Sequence, residues 1–149
     1  MAFAHTAIMF ATMVIVGMLF NPMNALAYRL SDLYYSLTLF YGGVLMASNM
    51  LWSHEIVHYL SMGHFDPVKF GIGAVLSVGV TVLLLRNQLF VSDAQWLRRM
   101  ISHHSTALTT SRVVRDRTAD PTVRQLATDI IDTQEREIDL MKRLLRKRS

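Results

Sequence analysis

The sequence predicts an all-α protein: three transmembrane helices followed by an antiparallel two-helix hairpin that completes a four-helix bundle by oligomerisation. Three observations lead there. Charge is segregated, since up to Leu85 the chain carries only Arg29, Lys69, Asp32, Glu55 and Asp66, and every other Lys, Arg, Asp and Glu lies beyond. Stretches 2–20, 33–60 and 70–86 are long and predominantly apolar, as a bilayer-crossing helix requires. The C-terminal part instead alternates apolar and polar residues at the helical period. The boundaries follow: 1–88 is a membrane region and 89–149 a hairpin. The net charge of +4 belongs to the hairpin, and the absence of cysteine excludes a disulfide framework and a thiolate metal site.

The first helix, 2–20, holds no charge and lacks the basic start and small-residue cleavage site of a signal peptide, so it reads as a retained span ended by Asn21-Pro22. Residues 21–32 form a short polar connection with Arg29 and Asp32. The second helix, 33–60, is apolar over its first two-thirds and carries His54, Glu55 and His58 in its last turns; its length calls for tilt or protrusion. Gly63 and Pro67 mark a loop over 61–67. The third span, 70–86, has Gly73, Ser77 and Thr81 at the small-residue spacing that lets membrane helices approach closely. Ser92-x-x-Gln95 is a capping-box start for a helix to about 117. Asp120-Pro121 pairs an N-cap with proline at the first helical position, and the last helix ends near 146 in basic residues that suit a helix C-terminus. A turn near 118–120 makes these two helices antiparallel, with His103 opposite Gln134, Met100 opposite Glu137 and Trp96 opposite Met141.

Two patterns overlap in 46–58. Met46, Met50, His54 and His58 recur every four residues and form one stripe on a helix. The first helix repeats the spacing with His5, Met9 and Met13. With three spans, His5, His54 and His58 gather at one membrane face, and Met9, Met13, Met46 and Met50 continue towards the bilayer centre. Thioethers and imidazoles suit Cu(I), although methionine also fills cores. His54-Glu55-Ile56-Val57-His58 also matches H-E-x-x-H, in which the histidines hold zinc and the glutamate is the general base. That makes an intramembrane zinc metalloprotease the alternative, with His64 and Asp66 the nearby candidates for a third ligand and neither in a recognisable motif. A third reading is a non-catalytic membrane assembly subunit whose basic tail rests on anionic lipid. No groove-reading motif points to nucleic acid.

The stretches M-I-S-H-H-S-T-A-L (100–108), D-P-T-V-R-Q-L-A (120–127) and Q-E-R-E-I-D-L-M (134–141) resemble the family called domain of unknown function 305, whose members carry M-I-x-H-H-x-x-A, D-P-x-V-x-x-L-A and Q-x-x-E-I-x-x-M in that order. The resemblance implies copper binding by Met and His on a ferritin-like helical bundle, and carries over to Met100, His103, His104, Gln134, Glu137 and Met141. Ser102 departs from the proline usual before the two histidines. Only one two-helix unit is present where soluble members have two. A single hairpin leaves one side of its stripe uncovered, so two chains are expected to pair as a homo-oligomer. Some members also have three preceding membrane helices, whose repeating methionines fall on Met46, Met50, His54 and His58 when aligned from Thr38. The plan is also similar to that of Ctr-type copper transporters. The expectation is therefore a copper-binding, multi-pass integral membrane protein acting in copper transport or homeostasis, not an enzyme, with metal ion and lipid bilayer as partners and zinc as the alternative metal. The balance of Arg29, Arg86, Arg98 and Arg99 against Lys69 places the hairpin in the cytoplasm.

Overall fold

The computed structural model describes residues 2–148, and every regular element among them is helical. The chain forms two compact units, one from the segments up to Leu19 and Leu37–Phe90, the other from Phe20–Ser36 and the chain from Val91 onward.

The first unit contains α1 (Ala2–Leu19), α3 (Leu37–Met62) and α4 (Pro67–Gly79), the last continuing as a π-helix over Val80–Arg86. α1 and α4 both pack on α3. Small residues make those contacts possible. A Cβ on Gly43 would stand 2.7 Å from the carbonyl oxygen of Val14 on α1, and one on Gly73 would stand 2.7 Å from the amide nitrogen of Trp52 on α3. Of the small residues expected to mediate packing, Gly73 does so; Gly71 and Gly79, on the same stretch, face open space. The Ser77 hydroxyl donates within its own helix, to Gly73 O at 2.9 Å. The buried side chains are few (Leu39, Tyr41, Ala47, Leu51 and Val80), while Ile8, Ile15, Val75 and Val78 point outward.

Among the described residues two helical stretches are long and apolar enough to cross a membrane, Ala4–Ala25 and Pro67–Arg86. This corrects the expected three. α3 has the length, but Ser48, Asn49, Ser53, His54, Glu55 and His58 dilute its apolar character below that of a span. It also starts later than expected, at Leu37, because residues 33–36 run without helical structure. α4 starts earlier than expected, at Pro67, because the Asp66 side chain accepts from the Val68 and Lys69 amides at 3.1 and 3.2 Å. The Lys69 amide bond is the main cause holding the Asp66 carboxyl below its usual range. Past Arg86, Gln88 and Phe90 adopt positive φ of 50° and 60°, uncommon for such side chains. Tyr41 secures the turn by donating its hydroxyl to Leu89 O at 2.8 Å.

The second unit is built on α5 (Asp93–Arg117) and α6 (Pro121–Arg146). Ser92 and Asp120 cap their N-termini as expected, Ser92 accepting from the Gln95 amide and Asp120 from the Thr122 and Val123 amides. Leu97, Ile101, Leu108, Ile131, Ile138, Met141 and Leu145 form the core between the helices. The connection, expected as a plain polar link over 21–32, is instead a strap over 20–36 with a short helix α2 (Pro22–Ala25) and a 3-10 turn at Leu30–Asp32. Asp32 is only 1% exposed. Its carboxylate accepts from Ser105 Oγ at 2.8 Å and from Lys142 Nζ. Ser105 Oγ in turn accepts the Tyr28 amide at 2.8 Å. Ser102 Oγ donates to Asp32 O at 2.8 Å, and Thr106 Oγ1 donates to Met23 O at 3.0 Å. The Arg112 guanidinium lies 4.7 Å from the Tyr28 ring centroid and pairs with Glu135. The strap thus covers one side of the hairpin and gives Ser102 its reason, since a proline there could not clamp the strap. It also revises the argument for pairing: on this side the chain supplies its own cover.

Candidate functional site

Away from the strap-binding serines, α5 presents Trp96, Met100 and His104 at four-residue spacing, which places them in one line. α6 faces them with Gln134, Glu137, Met141 and Leu144. Together with Leu97 and Leu140 these residues line an open pocket of about 530 Å³. The two methionines bring soft thioethers, His104 an imidazole, Gln134 an amide and Glu137 a carboxylate.

His104 decides what the pocket can do. Its side chain is 13% exposed, and Nδ1 lies 3.1 Å from Glu137 Oε2. The two atoms are at ion-pair distance but misaligned for a hydrogen bond, so Nδ1 is buried without a hydrogen-bond partner. Burial pushes the imidazole pKa down, His103 pushes it the same way, and Glu137 pulls it up. The net effect favours the neutral ring, the form in which it can bind a metal. Buried polar atoms almost always have a partner, and an imidazole nitrogen without a hydrogen bond, in a pocket that two thioethers and a carboxylate also line, fits a soft cation such as Cu(I). Among the described residues no group of three or more His, Cys, Asp and Glu converges as a metal site; methionine lies outside that set.

The expected register is displaced by a turn. His104, not Met100, comes to Glu137, and His103 is exposed with its ring centroid 5.8 Å from that of His104. On an α-helix neighbouring residues are about 100° apart, so only one histidine of the pair can turn inward.

The other expected site residues lie in the first unit. A pocket of about 170 Å³ is lined by His5, Thr6, Met9, Leu51, His54, Glu55 and Lys69. Met13, Met46, Met50 and His58 do not line it. Met46 is 44% exposed and its sulfur lies against Gly17, 2.9 Å from where a Cβ would stand. His58 stacks on His54, with ring centroids 5.9 Å apart. Glu55, the general base of the zinc-protease alternative, is 3% exposed. Its Oε2 accepts the Asp66 amide at 3.2 Å, and its Oε1 lies 3.4 Å from His54 Nδ1. Sequence reasoning missed the strap contacts of Asp32, Ser105 and Lys142; an acid between two long apolar stretches was the only signal for them.

Residues 92–149 match the family described as "Domain of unknown function (DUF305)". "Uncharacterized protein L153" of Acanthamoeba polyphaga mimivirus is 34% identical over 129 residues, covering 86% of this chain and 83% of that relative. That likeness reaches well past the hairpin into the N-terminal helices. No solved structure matches the chain. With the His-His and Met motifs of α5 and α6 inside the matched region, and a relative similar over most of both lengths, the chain belongs to the DUF305 family.

Proposed function

We propose that this is a copper-binding membrane protein acting in copper transport or homeostasis, with Met100, His104 and Met141 as the principal ligands and Gln134 and Glu137 completing the pocket. The observation that carries the reading is the buried His104 Nδ1, without a hydrogen bond, on a pocket that Met100, Met141 and Glu137 also line. The membrane placement draws on the two apolar stretches and on the outward-facing Ile8, Ile15, Val75 and Val78; α3 would be carried between α1 and α4, and the Lys/Arg balance would put the hairpin on the cytoplasmic side. A second copy would pair through the pocket side of the hairpin, where Trp96 and Leu140 remain about half exposed, since the strap occupies the other.

The test is Cu(I) titration of the purified full-length chain against a chromogenic chelator. Met100→Leu with Met141→Leu keeps the volume and removes both sulfurs, and is expected to weaken Cu(I) binding at this site at least a hundredfold. Unchanged Cu(I) affinity in that double variant would end the copper reading of the hairpin. The zinc protease has less support. A general base must reach a metal-bound water, whereas both Glu55 oxygens are taken up by His54 and the Asp66 amide in a buried setting.

A further inference from the structure

The first unit holds His5, His54, His58 and His64, and none of them belongs to the hairpin pocket. His54 and His58 share a feature that packing does not require. A carboxylate accepts hydrogen bonds and cannot donate them, so His54 Nδ1, facing Glu55 Oε1 at 3.4 Å, carries the ring hydrogen. His58 Nδ1, 3.1 Å from the carbonyl oxygen of His64, carries its hydrogen for the same reason. Both neutral rings therefore keep Nε2 bare. An imidazole whose far nitrogen donates to a carboxylate is the usual arrangement of a metal-binding histidine, because the carboxylate fixes the tautomer and raises ligand basicity. Glu55 is itself held in place by the Asp66 amide at 3.2 Å.

The surroundings suit a cation. The pocket beside His54 brings in His5 and Met9 from α1, adding a second imidazole and a thioether. Lys69 also lines it, but Asp66 Oδ2 lies 3.4 Å from Lys69 Nζ, so the Lys69 charge is offset by a partner outside the pocket.

We propose that His5, Met9 and His54 form a second metal site, specific for Cu(I), in the first unit, with Glu55 as the residue that positions His54. Two imidazoles and a thioether are a soft, low-coordinate donor set, which favours Cu(I) over Zn(II). The site is separate from the hairpin pocket and does not depend on it.

The experiment is a Cu(I) stoichiometry measurement under reducing conditions on the full-length chain in detergent, using Cu(I) itself as the probe and a chromogenic chelator as competitor. The wild type is expected to bind two Cu(I) per chain. A hairpin variant (Met100→Leu, His104→Gln, Met141→Leu) is expected to keep one, and adding His5→Gln and His54→Gln is expected to remove it. His5 and His54 are exposed at the rim of the pocket, so these changes leave the fold intact, and elution volume and helicity check this. Glu55→Gln still accepts the Asp66 amide but no longer fixes the His54 tautomer; it is expected to weaken the site about 10- to 100-fold with stoichiometry unchanged. If the hairpin variant binds no Cu(I), or its remaining site survives His5→Gln and His54→Gln, or that site takes Zn(II) in preference to Cu(I), the proposal is overturned. A wild type that binds one Cu(I), lost with His54→Gln and kept in the hairpin variant, upholds this site and overturns the hairpin one.

Discussion

The two units solve helix packing in different ways. The hairpin unit packs as a protein does in water: Ile101, Leu108, Ile131 and Ile138 interdigitate between amphipathic helices, and buried polar groups pair in the clamp of Asp32, Lys142, Ser102 and Ser105. The first unit has little such core. Its helices meet where Gly43 and Gly73 let backbone approach backbone, and much of its apolar surface faces outward. In water that surface would drive aggregation; in lipid it carries no penalty, and close van der Waals packing at small residues is what holds helices together. The two units thus differ in how their helices pack, and the candidate ligands differ with them: a mixed thioether, imidazole and carboxylate pocket on the amphipathic hairpin, an imidazole cluster at one end of the apolar unit.

The sharpest way to break this contrast is to remove the buried acid of the hairpin unit. Asp32→Leu leaves Lys142 beside an apolar group and Ser105 without its acceptor. Breaking a buried ion pair by deleting one partner costs about 3–5 kcal/mol, and because Lys142 keeps some exposure (19%) the loss is expected near the low end. Urea unfolding followed by hairpin helicity reads it. Adding Lys142→Met should recover most of the loss, since an apolar pair of similar volume replaces a charge pair with little penalty. A single variant as stable as the wild type would mean that the strap is not part of the hairpin's folding unit.

In the first unit the matching perturbation is steric. Gly73→Leu places side-chain atoms where Trp52 N and Ser48 O already stand, so α4 must move off α3, at about 1–3 kcal/mol by the usual penalty for overpacking. Disulfide trapping between cysteines introduced on α3 and α4, clean because the chain has none of its own, should fall sharply. Gly71→Ala meets nothing within 4 Å and should trap as the wild type does. Equal trapping in both variants would remove close packing at Gly73 as the basis of this interface.

What the sequence made legible divides along the same line. The caps at Ser92 and Asp120 act within a few residues and were readable as motifs. So was the inward line of Trp96, Met100 and one histidine, because helical spacing fixes a face. Which histidine turned in was not readable, because it depends on the register between α5 and α6, set by core contacts far apart in sequence. The strap was hidden for the same reason: Asp32 meets Lys142 across most of the chain, and a lone acid between apolar runs looks like a solvated loop residue. α3 was overcalled as a span because length and a mostly apolar first half outweighed the polar residues of its second half. The onset of α4 was missed although Asp66-Pro67 is the same pair, an N-cap followed by proline, that correctly started α6 at Asp120-Pro121; with Gly63 three residues before Asp66, Pro67 read as the end of a loop.

That cap supplies the smallest of the expected effects and a check on whether the first unit uses local polar devices at all. Asp66 holds the start of α4 by accepting from Val68 and Lys69, and those contacts keep its carboxyl pKa below the ordinary value. A carboxyl whose pKa is depressed by folding stabilises the folded state above its unfolded value, and that contribution fades as pH falls through the folded one. Asp66→Ala should therefore lower the melting temperature of the full chain modestly at neutral pH. The difference from wild type should shrink as the solution is acidified and vanish once the wild-type carboxyl is protonated. Asp66→Asn, which can still accept the amide hydrogen bonds while carrying no charge, should sit between the two at neutral pH and keep its advantage over Asp66→Ala unchanged on acidification. A deficit in Asp66→Ala that persists unchanged to low pH would assign the role of Asp66 to packing and not to its charge. The start of α4 would then be held by Pro67 and by its contact with α3 alone, as the rest of that unit is.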